Sequence, residues 1–397
     1  MPAQSQAENQ ADNQAENQAE NQADNEAQEQ GRAQERARTP ASALALELAA
    51  AGRLPAFVYD LAELDAHMRS VRAALGDVEL YYAVKANPDP ELLRVLSSHV
   101  DGFEVASGGE LAHVRASYPD TPVALGGPGK TDEELVSEVT RLHVESSGEL
   151  RRLLASGRAA DVLLRVNLDL PVEGASLAMG GGATPFGMDP AAIDECLDLL
   201  SAQDTVRLRG IHAHLASGLD APRMLELAAA ILEYARGVGV TEINLGGGMA
   251  VSYTDPERRF DWHAYGRGLA ELRRPGEVLR VEPGRSLTVY CGRYVTRVID
   301  VKRVHGELFA VVAGGTHHIR TPATKGHNQP LVDGAPGEPI TIVGQLCTPK
   351  DVLARRVPIS LERGDVVEFT MAGAYAWNIS HHSFLMHPEP GFHYIGG

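Results

Sequence analysis

The chain has 397 residues, 44% of them hydrophobic and 22% charged, with a formal net charge of −17. That length holds one large core and a second smaller one, while the acidic balance speaks against nonspecific nucleic-acid binding, which needs a basic face. No apolar run suits a bilayer, the N-terminus lacks a signal-peptide layout, and the three cysteines (Cys196, Cys291 and Cys347) fit neither a disulfide framework nor a zinc site. The expected setting is therefore reducing cytoplasm, with no membrane and no nucleic acid as partner.

Residues 1–38 repeat Ala-Glu-Asn-Gln and Ala-Asp-Asn-Gln. A polar, low-complexity tract buries too little to offset its ordering entropy, so a disordered tail without a catalytic role is expected. A polar helix is the alternative, with no apolar stripe to pack. From about residue 55 apolar runs alternate with helical patterns. Candidate strands are Leu80–Lys85, Gly102–Ala106, Pro122–Gly126, Arg141–Glu145, Val162–Asn167, Gly210–Leu215, Glu242–Gly246 and Val278–Glu282. Helical patterns between them include Glu91–Val100, Asp132–Thr140, Ala191–Ser201 and Ala221–Gly237. Eight short apolar strands separated by helices predict an α/β fold, a (β/α)8 TIM-type barrel over residues 60–285, with a doubly wound open sheet as the alternative. Residues 286–397 read as strands and turns, among them Tyr294–Lys302, Leu308–Ala313 and Asp365–Phe369. A mostly antiparallel β domain is expected there, joined by residues 40–59.

Barrel active sites sit at the C-terminal ends of the strands. Those ends carry Lys85; Glu104, Ser107 and Glu110; Gly126-Gly127-Pro128-Gly129; Glu145; Arg165 and Asn167; His212, His214 and Ser217; Gly246-Gly247-Gly248; and Glu282 with Arg285. A core strand has little use for Lys85, because burying an unpaired ammonium is expensive. In a partly dry site the same amine can lose its proton and attack a carbonyl. Gly246-Gly247-Gly248 lets backbone N–H groups approach an anion, and Arg285 offers a fixed fork for a phosphate. There is no Walker lysine-serine pair and no Gly-x-Gly-x-x-Gly opening a helix after the first strand. Lysine, phosphate cradle and carboxylate together suggest pyridoxal 5′-phosphate, with Lys85 holding its aldehyde as an imine. Glu282 would face the pyridine nitrogen. At about 4 Å and an effective dielectric of about 20 that contact is worth roughly 4 kcal/mol, about three pKa units, enough to keep the ring nitrogen protonated. His214 would stack on the ring face, and His212 reads as structural.

In the β domain, Gly344-Gln345-Leu346-Cys347-Thr348-Pro349-Lys350-Asp351 is a polar turn around a cysteine, which favours a partly exposed, reactive thiol. Tyr375 in Ala372-Gly373-Ala374-Tyr375 follows a strand and offers a hydroxyl for the phosphate, with a plain packing aromatic as the alternative. The tail histidines His381, His382, His387 and His393 match no standard ligand spacing, so no metal is expected.

Tyr82-Ala83-Val84-Lys85-Ala86-Asn87, Gly102-Phe103-Glu104-Val105-Ala106-Ser107, Gly246-Gly247-Gly248, Glu282-Pro283-Gly284-Arg285 and Gly373-Ala374-Tyr375 together resemble the fold-type III pyridoxal-phosphate decarboxylases over about residues 50–395. The family includes the ornithine and diaminopimelate decarboxylases. The resemblance implies that Lys85 is the Schiff-base lysine and that His214 stacks on the ring. It further implies that Ser217, Gly247, Gly248, Arg285 and Tyr375 hold the phosphate, that Glu282 meets the pyridine nitrogen, and that Arg165 and Glu110 support the site. Cys347 would be the general acid that crosses to the partner subunit, which implies a head-to-tail homodimer with shared active sites.

Relatives that act on basic amino acids place an acidic residue directly after this cysteine to read a distal ammonium; here that position is Thr348. The loop Gly314-Gly315-Thr316-His317-His318-Ile319-Arg320-Thr321-Pro322 is rich in donors. A lost acid and gained donors favour a distal anion on the substrate. Residues 126–135, 343–355 and 378–385 look closest to the branch that decarboxylates the citryl–diaminopropionate intermediate of staphyloferrin B-type siderophore synthesis. His317, His318, Arg320 and Lys350 are expected to line the distal pocket. Decarboxylation of diaminopimelate, ornithine or lysine stays open as an alternative, as does a catalytically silent binding homologue.

Overall fold

The computed structural model describes residues 39–170, 177–178, 180–320 and 326–397. The repeat tail and Thr321 and Pro322 of the donor-rich loop lie outside the described residues. Eight parallel strands close into a barrel, which decides between the closed and open alternatives. In barrel order they are Glu79–Ala83, Gly102–Val105, Val123–Leu125, Arg141–Val144, Ala160–Arg165, Val206–His212, Glu242–Asn244 and Val278–Val281. The last closes the ring by pairing Arg280 with Glu79 and Val281 with Leu80.

The crossover helices start where the chain supplies a short polar cap. Asp60, Ser107, Thr131, Ser146, Asp189, Asp220 and Asp261 each accept a first-turn backbone N–H, satisfying donors that a helix cannot pair internally. Ser107, read above as part of the polar cluster at the strand ends, is therefore a helix cap. Glu110, two residues into that first turn, turns back to accept the Ala106 N–H at 2.7 Å. The helix expected over Asp132–Thr140 stops at Leu135. Lys85 is not in the strand: extended pairing ends at Ala83, and Val84–Ala86 forms a single 3-10 turn.

The N-terminal end of the barrel is plugged by charge. Arg280, 3% exposed in its side chain, donates to Glu242 at 2.8 Å and to Glu79 at 2.9 and 2.5 Å, with its guanidinium 4.5 Å over the Tyr81 ring. Arg141 bonds both oxygens of the same Glu242 at 2.8 Å.

A second sheet runs, in order, Val352–Ile359, Pro336–Val343, Glu307–Val312, Gly292–Val304, Ala56–Asp60 and Gly391–Ile395, with Val366–Phe369 also on Gly292–Val304. Its pairings are mostly antiparallel; Ala56–Asp60 with Gly391–Ile395 and Glu307–Val312 with Pro336–Val343 are the parallel ones. One apolar cluster runs from the barrel through Phe57, Tyr294 and Phe369 into this sheet, so the two layers share a core. Among the described residues no helix is long and apolar enough to cross a membrane.

Candidate active site

At the C-terminal mouth of the barrel, Lys85 Nζ contacts Glu104 Oε2. Its side chain stays 44% exposed while the Glu104 side chain is buried. Burial pulls the ammonium's pKa down, but Glu104, Tyr375 and Glu282 outweigh that and raise it above the ordinary lysine value. The Glu104 carboxyl is in turn pushed up by burial and by Glu282, against the pull of Lys85 and Arg165. The turn holding the lysine is fixed from the second sheet: Tyr375 N–H donates to Ala86 O at 2.7 Å, and Asn378 Nδ2 donates to Lys85 O at 2.7 Å.

Arg285 opens a short helix after the last barrel strand. Its guanidinium lies 4.5 Å over the Tyr375 ring and donates to the Tyr253 hydroxyl at 2.7 Å. The triple glycine passes between two strand ends. Gly246 has φ +67° and a Cβ there would sit 2.8 Å from the His214 Cβ; Gly248 has φ +108° and a Cβ would meet Ala216 O at 2.2 Å. A side chain at either position is excluded both by backbone conformation and by space. Gly248 O accepts Gly218 N–H at 2.7 Å, which seats Ser217 beside the glycines. His214 Nδ1 accepts the Gly247 N–H at 3.1 Å, so the proton rests on Nε2. Burial, Arg165 and Lys85 drive His214 down to about 3, and it is neutral at physiological pH.

Glu282 is buried against three side chains. Asn244 Nδ2 donates to its Oε1 at 2.6 Å, His212 Nε2 stands 3.2 Å from its Oε2, and His143 Nε2 stands 3.7 Å from its Oε1. His212, expected to be a bland core histidine, faces the carboxylate instead. Arg165 is tied to Glu145 at 2.7 Å and lies 5.1 Å from the Phe186 ring, while Glu145 also accepts the Gly127 N–H at 2.8 Å.

These contacts bring together Lys85, Glu104, Glu282, His214, Ser217, the glycines, Arg165, Arg285 and Tyr375. The arrangement fits pyridoxal phosphate: an amine, a backbone and guanidinium cradle for an anion, and a buried carboxylate for a ring nitrogen. His143, Asn244, Tyr253 and Asn378 were not among the expected site residues, and Glu104 was read only as one of the polar groups at the strand ends, without a role. Glu104 announced itself only as a charge in an apolar strand, and His143 only as a histidine at a core position, a pattern that a structural histidine shares.

The other expected residues lie on the second sheet. Cys347 is exposed on the turn between Pro336–Val343 and Val352–Ile359. Asp351 braces that turn, accepting the Leu346 N–H at 2.8 Å and the Thr316 N–H at 2.7 Å, so the thiol loop and the donor-rich loop form one unit. Among the described residues no hydrogen bond, ion pair or ring contact joins Gln345–Lys350 to Lys85, Glu104 or Tyr375. Lys350 and Arg320 are exposed. His317 is 2% exposed, and neither ring nitrogen has a partner among the described residues. His318 differs: Tyr294 OH lies 3.1 Å from its Nδ1 and Pro388 O lies 2.8 Å from its Nε2. Burial and His317 lower it to about 4. With both nitrogens occupied and no charge, His318 has nothing left for a distal anion, which corrects the expectation for that residue. One group of donors among the described residues, His143, His212 and Glu282, has metal-like spacing, within 4.8 Å.

Comparison with known proteins agrees with this chemistry. The model of the pyridoxal-dependent decarboxylase family, pyridoxal binding domain, matches residues 61–295. The chain is 38% identical over 373 residues to 2-[(L-alanin-3-ylcarbamoyl)methyl]-2-hydroxybutanedioate decarboxylase of Staphylococcus aureus (strain NCTC 8325 / PS 47), covering 85% of this chain and 93% of that one. It is 32% identical to a diaminopimelate decarboxylase of Deinococcus radiodurans, covering 85% and 88% respectively. A solved structure of an SrLDC mutant in complex with PLP superposes with a TM-score of 0.74 at 25% identity, over 86% of this chain and 92% of that one. The chain belongs to the pyridoxal-dependent decarboxylases, and is an amino-acid carboxy-lyase that uses pyridoxal phosphate.

Proposed function

We propose that the substrate is a citryl-linked diaminopropionate, decarboxylated in the cytoplasm during siderophore biosynthesis, by a homodimer whose two sites each draw on both subunits. The observation that carries this reading is the replacement of the acid after Cys347 by Thr348, beside a loop of donors. A distal ammonium would have no counter-charge at that position, whereas carboxylates would meet Arg320 and the ring nitrogens of His317, which have no hydrogen-bond partner among the described residues. Lys350 would supply a further charge at the rim. The likeness to the staphylococcal enzyme, whose named substrate carries a butanedioate, supports the same class.

Within the site, Lys85 would hold the cofactor covalently, with Gly247, Gly248, Ser217, Arg285 and Tyr375 on its phosphate, His214 and Arg165 against the ring and its rim, and Glu282 at the pyridine nitrogen. The bound cofactor supplies a sink for the electron pair left on the α-carbon when carbon dioxide departs. Lys85 must shed a proton before it can attack a carbonyl, and Glu104, in contact with Nζ and raised by burial, is the group placed to take it. His214, neutral and anchored by Gly247, offers a flat uncharged face that adds no second cation beside the ring. The partner subunit's Cys347 would return a proton to the α-carbon from its exposed turn.

Carbon dioxide release from a panel of citryl-linked and free amino acids tests the substrate class. Replacing Arg320 with Ala should raise KM for the citryl substrate by about tenfold to a hundredfold, the worth of a hydrogen bond to a charged group, and leave simple amino acids unaffected. An unchanged KM removes the distal-anion reading.

A further inference from the structure

Two imidazoles at the mouth of the barrel take no part in the chemistry just described. His143 closes on the site from the strand Arg141–Val144 and His212 from the end of Val206–His212. Their rings stack with centroids 4.2 Å apart and planes 15° from parallel. Both edges point at one target: His212 Nε2 is 3.2 Å from Glu282 Oε2, and His143 Nε2 is 3.7 Å from Glu282 Oε1. Asn244 holds Oε1 from the next strand at 2.6 Å.

We propose that His212, backed by the stacked ring of His143, is a positioning residue that aims the Glu282 carboxylate at the pyridine nitrogen of the cofactor. The proposal rests on the assignment of Glu282 to that nitrogen made above. Three arguments carry it. First, the carboxylate needs both oxygens fixed to present one lone pair to a ring, and Asn244 fixes only Oε1; His212 is the side chain beside Oε2. Second, His212 Nδ1 and His143 Nε2 are buried with no hydrogen-bond partner among the described residues. A core histidine kept only for packing would pay a desolvation penalty at each such atom, so a leucine or phenylalanine would serve the fold better. Third, burial holds both imidazoles far below the ordinary histidine pKa, with Arg165 adding to the effect at His212 and each ring's cationic neighbours working the same way. A neutral N–H orients a carboxylate without neutralising it, which a lysine or arginine at the same place would do. His143 is out of hydrogen-bonding range at 3.7 Å, and its part is to hold the plane of His212 by stacking.

The same three side chains fall within 4.8 Å of one another, the spacing of a metal site. A divalent cation there would occupy the carboxylate and set a positive charge against a protonated ring nitrogen. The two readings are thus mutually exclusive and separable.

The test compares cofactor affinities, by fluorescence titration of the apoprotein, for pyridoxal phosphate and for its 1-deaza analogue, which carries a carbon at the pyridine-nitrogen position. The wild type should prefer pyridoxal phosphate by about tenfold to a hundredfold, the range of a charge-assisted hydrogen bond. His212→Leu should lose most of that preference, and His143→Leu part of it. His212→Gln, which keeps an N–H, and His143→Phe, which keeps the stack, should each restore it. Matching circular dichroism spectra confirm that the variants compared are folded, and the restoring pair keeps the test decisive where a leucine variant does not fold. A preference in His212→Leu or His143→Leu equal to that of the wild type overturns the positioning role. So does stoichiometric zinc retained by the wild-type apoprotein and lost in His143→Leu. Absence of any preference in the wild type, or an unchanged preference in Glu282→Ala, would instead refute the assignment of Glu282 itself, a separate result.

Discussion

The two ends of the barrel are built from the same strands and carry comparable numbers of charged side chains, yet they treat charge oppositely. At the N-terminal end, Arg280 and Arg141 share Glu242, and Arg280 also binds Glu79, all within 2.5–2.9 Å. The Glu242 carboxyl is held below the usual range because these arginines outweigh its burial. At the C-terminal mouth, Lys85 leans on Glu104, His214 is neutral, and His143 Nε2 and His212 Nδ1 have no hydrogen-bond partner among the described residues. One end is satisfied by the chain itself. The other leaves donors and acceptors for a ligand to complete, and that is where the cofactor chemistry belongs.

Substitutions at the two ends should therefore fail in different ways. The largest effect is expected from Lys85→Ala, which should cut carbon dioxide release by more than about a thousandfold, on the order of 4 kcal/mol or more of barrier. It should also abolish the borohydride-sensitive visible absorbance, while thermal stability is kept. Retained turnover or a retained absorbance band would contradict the whole account of the mouth. At the other end, Glu242→Gln strips the buried Arg280 and the half-buried Arg141 of their shared counter-charge and should cost about 3–5 kcal/mol in chemical denaturation. The folded fraction should still bind cofactor normally; a loss of cofactor affinity without loss of stability would erase the distinction between the ends.

A smaller effect is expected from Gly248→Ala. The left-handed backbone and the 2.2 Å approach of Ala216 O force the phosphate cradle to shift, so cofactor affinity should fall by about tenfold with kcat at saturation changed less. An unaltered affinity would take Gly248 out of the cradle.

The smallest and most graded effect is on pH. His143, His212, His214 and His318 all have folded-state pKa values below the ordinary histidine value, led by burial. The unfolded chain therefore binds protons from about pH 6.5 downward that the folded apoprotein refuses. Stability is full above that pH and is lost as pH falls toward the folded values, about 4 for His318 and about 3 for His214. Denaturation midpoints measured from pH 7 to pH 4 should decline, and His318→Gln should flatten the slope. A flat profile in the wild type would show these rings already partnered by something that keeps them charged.

Much of this was readable beforehand because it rests on local rules. Strand Glu79–Ala83 is a β-favouring apolar run ending in turn signals, and the helix caps are single residues of the expected kind. Gly246-Gly247-Gly248 and Glu282-Pro283-Gly284-Arg285 are contiguous, so their chemistry survives without a fold. The Lys85–Glu104 contact and the His143–His212 stack join residues far apart in sequence, and neither member of either pair names its partner. His318 misled for the same reason: a histidine in a donor-rich loop reads as a ligand until Tyr294 and Pro388 are seen on its two nitrogens.

Amino-acid order by itself determined the alternation of strands and helices, the polar residues gathered at the strand ends, and the amine, glycines and guanidinium that imply pyridoxal phosphate. Each follows from propensity, turn chemistry or a short motif. Tertiary structure alone decided that the sheet closes, that Glu282 is braced by Asn244 and faced by two imidazoles, and that the Cys347 turn is locked to the His317 loop through Asp351. These depend on the register of strands brought side by side, which fixes distances across the barrel that no stretch of sequence encodes alone.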